Sequence, residues 1–176
     1  MSFELEINMH RYRVTKYDPK NRNSLGHYTK DEWISVSDIG NTYDGKELTL
    51  SDYLLVEDKY SDAVESIMTE TKIAALKIKE FEKRDFSSIH DGNSNKLRKM
   101  YDSLEEGMTV KKDDISLVIK LILRETVWAK LVSPELEVHF GYDYYMYACC
   151  KHALKTAVDQ INESGLFAES IRSPYL

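Results

Sequence analysis

The sequence predicts an α+β fold, a largely antiparallel sheet with a C-terminal meander packed against about four helices, in one domain spanning residues 1–176. Three observations predict it. Phe3, Leu5, Ile7 and Met9 alternate with polar residues, the period of a half-buried strand. Apolar residues recur at helical spacing through the middle of the chain. After Thr126 three short strand patterns follow one another with only turns between them, so strands and helices do not alternate as they would in a doubly wound sheet.

Taken in order, the first strand is expected to run to about Tyr17, where Asp18-Pro19 ends it, and residues 21–26 have turn chemistry. Residues 31–40 read as irregular or as a short strand around Trp33, and Asp44-Gly45 as another turn. A helix follows, capped by Thr49 or Ser51, with Tyr53, Val56, Tyr60, Val64 and Ile67 inward and Leu54 and Met68 at the margin. Asp58, Asp62 and Glu65 then fall in a row on its outer face. Residues 73–83 lean towards a strand, and Asp91-Gly92 turns the chain. Ser94 caps a second helix with the face Leu97, Met100, Tyr101, Leu104, stopping at Gly107. Thr109 or Asp113 opens a third and buried one, with Ile115, Val118, Ile119 and Ile122 inward. Residues 127–132, 136–140 and 144–149 form the meander. A last helix is expected over 151–164, ending at Gly165.

A chain of 176 residues can bury a core without metal or disulfide staples. The only cysteines, Cys149 and Cys150, are adjacent and read as reduced thiols of a cytoplasmic protein. Residues 1–6 carry no basic or apolar part of a secretory signal, and no apolar run is long enough for a membrane span. No Gly-rich phosphate loop, HExxH, CxxC or GxSxG is present, so no cofactor or metal is expected.

Charge is unevenly placed. The net charge of −6 does not suit a direct nucleic-acid binder. Residues 31–70 hold eleven carboxylates against Lys46 and Lys59, a net −9, which leaves the rest of the chain positive. Such a patch attracts a cationic partner and speeds its encounter. Residues 10–30 are the mirror image, with six Arg and Lys against Asp18.

Two other features invite a function. His10 beside Arg11 and Arg13 could act on a phosphodiester as base and charge clamp, if His90 or His139 converged on it. His139 itself lies on the strand face opposite Val138 and Phe140 and reads as a surface histidine. Four of the twelve tyrosines fall within Tyr142–Tyr147, and tyrosine favours recognition surfaces. They also suit a strand with aromatics on both faces, or the interface of a homo-oligomeric scaffold.

Three stretches carry a resemblance: residues 12–19 (YRVTKYDP) with 31–33 (DEW) and 37–40 (SDIG); residues 139–147 (HFGYDYYMY); and residues 165–167 (GLF) with 173–175 (SPY). Together they resemble a family of small bacterial cytoplasmic proteins, some of which look like the immunity proteins encoded beside polymorphic or contact-dependent growth-inhibition toxins. The resemblance implies a partner, the C-terminal domain of a cognate toxin, and brings no catalytic residue with it. The acidic segment independently suits an inhibitor of a basic RNase or DNase, without catalysis of its own. The expected contact residues are Asp58, Asp62 and Glu65, with Glu57 and Asp52 at the rim and Trp33 and Tyr43 as apolar anchors.

Overall fold

In the computed structural model, residues 9–86 and 92–171 are described; Phe3, Leu5, Ile7, His90 and Asp91 fall outside them. The elements are β1 (His10–Thr15), β2 (Thr42–Tyr43), β3 (Lys46–Glu47), α1 (Leu50–Glu70), β4 (Ala75–Lys83), α2 (Ser94–Ser103), β5 (Thr109–Lys111), α3 (Lys112–Leu123), β6 (Val127–Val132), β7 (Leu136–Phe140), β8 (Met146–Cys150), α4 (Thr156–Glu163) and β9 (Phe167–Ser170). Seven strands form one sheet in the order β5-β4-β6-β7-β8-β1-β9, with every neighbouring pair antiparallel. The fold is therefore α+β around an antiparallel sheet, and β6-β7-β8 is the meander the sequence predicts.

Strand alternation sorts the sheet into two faces. Tyr12, Val14, Leu76, Ile78, Ala129, Leu131, Val138, Met146 and Ala148 are buried beneath the helices. Arg11, Arg13, Trp128, Lys130, Glu137, His139, Tyr147 and Cys149 stand half-exposed on the other face. α1 lies against α3 and α4, and α2 against α3. Cys149 and Cys150, adjacent in β8, point to opposite faces; burial pushes both thiols up, Cys150 to about 12.

Several boundaries differ from expectation for definable reasons. β5 and β9 were not anticipated, because edge strands of three and four residues bury too little to leave a pattern. α4 starts at Thr156 rather than near 151, since residues 151–155 form a bent, irregular connection that brings the helix start to α1. There Glu70 accepts from the amides of Lys155, Thr156 and Ala157 at 2.9, 3.1 and 2.7 Å. Burial raises the Glu70 carboxyl, but these three amides outweigh it and hold the group low. β8 starts at Met146 because residues 142–145 close a hairpin turn, with the Tyr145 N–H donating to the Tyr142 carbonyl. Its central residues Asp143 and Tyr144 have φ of 62° and 63°, the left-handed pair that a type I′ turn requires.

A tyrosine is a poor choice for that second position, where glycine is favoured. The reward lies inside. Tyr144 is buried, meets the Trp33 ring edge-on at 4.9 Å, and donates from its hydroxyl to the Leu123 carbonyl at 3.1 Å. Its own carbonyl accepts from the buried Tyr60 hydroxyl. Tyr144 therefore ties the meander turn to α1 and α3. Tyr145 goes to the other face, over Tyr17 and beside Arg13.

Candidate functional site

The acidic segment supplies the whole of α1 and the irregular chain before it. Thr49 caps α1, its hydroxyl accepting from the Asp52 amide at 3.1 Å, as the sequence suggested. Before it, residues 33–41 wrap around a short 3₁₀ turn (Val36–Asp38) closed by a capping box. Ser35 accepts from Ser37, and the Asp38 carboxylate accepts from the Ile34 and Ser35 amides at 2.8 and 3.1 Å. No strand forms around Trp33.

This wrapping builds a cleft of about 290 Å³ lined by Lys30, Asp31, Glu32, Trp33, Tyr43, Asp44, Lys46, Glu47, Leu48 and Asp52. Three of the sequence-predicted contacts, Trp33, Tyr43 and Asp52, thus meet in one place. Five carboxylates face two lysines across it. Asp52 is held below the usual carboxylate range by the Thr49 hydroxyl and by Lys46. Trp33 is fixed from behind by Tyr53 and Tyr144. The Lys16 ammonium sits 4.0 Å from the Trp33 ring centroid and 4.1 Å from that of Tyr17, and pairs with Glu32 at 3.2 Å. Burial dominates there and lowers Lys16 to about 8, despite Glu32.

Asp58, Asp62 and Glu65 lie further along α1, as a row on its outer side. Asp58 meets Lys120 of α3 at 2.8 Å but keeps 57% of its side chain exposed. The side-chain carboxylates of Asp62 and Glu65 have no hydrogen bond or ion pair among the described residues. Partial burial and the neighbouring Asp62 push the Glu65 carboxyl up. Glu57 corrects the expectation: it is not at a rim but fully buried. Its carboxylate is gripped at both oxygens by Arg124, at 2.8 and 2.6 Å, with the guanidinium itself buried. The sequence carried a signal for this. Glu57 falls between Tyr53 and Tyr60 on the inward face of the helix, where a carboxylate requires a buried cation.

Of the residues read as a phosphodiester site, His90 lies outside the described residues, and His10, Arg11 and Arg13 do not share one face of the sheet. His10 follows the parity of Tyr12 and Val14, whereas Arg11 and Arg13 point to the opposite side of the sheet. Arg13 and Arg22 both bind Glu169, at 3.1 and 2.8 Å, so Arg13 is committed to an internal cluster. His139 stacks on Tyr147 at 5.2 Å and lies 3.2 Å from Glu137. Among the described residues, no group of three or more His, Cys, Asp or Glu is placed to hold a metal, and no helix is long and apolar enough to cross a membrane.

A second cleft was not anticipated from the sequence. It measures about 660 Å³ and lies at one end of the sheet, where the end of β4, the α3–β6 connection and the β7–β8 turn meet residues 34–35. Segment 33–35 is the wall between the two clefts: Trp33 lines the first, Ile34 and Ser35 the second. No protein-family model matches the chain, and neither a curated protein nor a solved structure matches it significantly.

Proposed function

We propose that this chain is a cytoplasmic immunity protein that binds and neutralises a bacterial toxin domain, a basic RNase or DNase, without catalysis of its own. One observation carries the reading. Five of the eleven carboxylates in the segment of net charge −9 line one cleft with Trp33 and Tyr43, and Asp58, Asp62 and Glu65 stand further along the outer side of α1. Of its eleven carboxylates, Glu57 and Glu70 are used internally, and Asp38 closes a turn. The side-chain carboxylates of Asp31, Asp44, Glu47, Asp62 and Glu65 make no hydrogen bond or ion pair among the described residues and remain available.

In such a mechanism the available carboxylates occupy the toxin's phosphate-binding cations, and Trp33 and Tyr43 supply apolar contact. Close charge pairs at comparable interfaces couple by about 1.5–7 kcal/mol. Calorimetric titration with the C-terminal domain of the toxin encoded beside it, at low and at raised salt, tests this. Nanomolar binding that weakens with salt is expected. Absence of binding, or tight binding indifferent to salt, contradicts it.

A further inference from the structure

The second cleft is the larger of the two and has a different chemistry. A β-bulge in β4, at Glu80 with φ of 52°, breaks the register after Lys79↔Lys130 and sets Glu82 directly opposite Trp128. Across the cleft, the β7–β8 turn presents Tyr142, 92% exposed and the most exposed large apolar-bodied side chain of the described residues, followed by Asp143. Ile34, another exposed apolar residue, closes the near side. Glu125 completes the acidic lining and accepts from Ser35 at 2.9 Å, so the wall shared with the first cleft is pinned to it. Three carboxylates thus stand around aromatic surface, against the one guanidinium of Arg84.

Glu125 and Asp143 carry those carboxylates from left-handed backbone, φ 58° and 62°. Glu125 does so at the residue after the α3 C-cap, where glycine is the residue of least strain. A flat aromatic ring faced by a carboxylate suits a planar cation that can stack and pair at once. Guanidinium does both, whereas an ammonium only pairs.

We infer that this cleft receives an arginine side chain from a basic partner protein, stacked on Trp128 and paired with Glu82 and Asp143, with Tyr142 closing over it. The inference rests on the partner-binding reading above and adds a second contact, which meets the acidic cleft at residues 33–35.

The chain has only two tryptophans, and each lines one cleft. Their two indole N–H resonances in the ¹⁵N-labelled protein therefore report the clefts separately, with Trp33→Phe identifying which is which. Titration with N-acetyl-arginine-amide is expected to move the Trp128 resonance with a Kd of about 1 mM, the range open to a fragment of this size. Its neutral isostere N-acetyl-citrulline-amide is expected to leave it in place. Glu82→Gln combined with Asp143→Asn, both on exposed side chains, should weaken arginine binding about tenfold. No movement of Trp128, an equal response to citrulline, or full arginine binding by the double variant would overturn the inference. The toxin is absent from this titration, so its failure leaves toxin binding at the first cleft untouched. Failure of the toxin titration leaves an observed arginine site standing.

Discussion

Two ion pairs bridge α1 to α3 and its C-cap one residue apart, and their surroundings separate them. Glu57 and Arg124 are buried, bidentate and closed to solvent. Asp58 and Lys120 meet through one oxygen, with the carboxylate 57% exposed. The first pair is part of the core and ties the helices together beneath Tyr53 and Tyr144. The second competes with water, so its carboxylate can be given up to a partner at little cost. Net charge on a helix does not by itself say which carboxylates are offered outward; a rotation of 100° per residue decides it.

Removing half of the buried pair gives the largest expected effect. Arg124→Met leaves the Glu57 carboxyl buried without its cation and should lower unfolding free energy by about 3–5 kcal/mol, read from the urea midpoint. Replacing both residues by Met should recover most of that loss, because buried pairs roughly break even against apolar side chains of similar volume. If the double variant is as unstable as the single, the pair does more than neutralise itself.

Lys16 comes next. Its folded pKa of about 8 lies below the usual lysine value of 10.5, so between pH 8 and 10 the unfolded chain binds more protons than the folded one. Stability from this group therefore rises with pH through that window, by on the order of 1 kcal/mol. Above it the buried tyrosines Tyr53, Tyr60 and Tyr144, all raised by burial, turn the trend downward. Urea midpoints at pH 8 and 9.5 should differ in the native chain and converge in Lys16→Met. An unchanged pH slope in that variant would remove Lys16 as the cause.

Much of this was legible in residue order. The cap at Thr49, the buried face of α3 and the three-strand meander followed from period and turn chemistry, because each buries a long, regular apolar stripe. Strands β5 and β9 did not, since Val110 is the single buried residue of one and the other has none. Three of the expected contacts converge on one cleft because the capping box at Ser35 and Asp38 folds Trp33 back towards the start of α1. That is a local rule whose consequence is not local. The second cleft was illegible for a stronger reason. It is assembled from four separate segments, and the bulge that brings Glu82 opposite Trp128 leaves no mark in the hydrophobic pattern.

The exposed end of the comparison carries the central claim, that the outward carboxylates of α1 exist to meet a cation. Asp58→Lys with Asp62→Lys should change stability by under about 1 kcal/mol, as exposed charges do. The decisive measurement is the affinity of this double variant for the C-terminal domain of the proposed toxin partner, beside its thermal melt. A native melting curve with binding lost or weakened at least a hundredfold is the expected result. A native melting curve with unchanged affinity would contradict the claim.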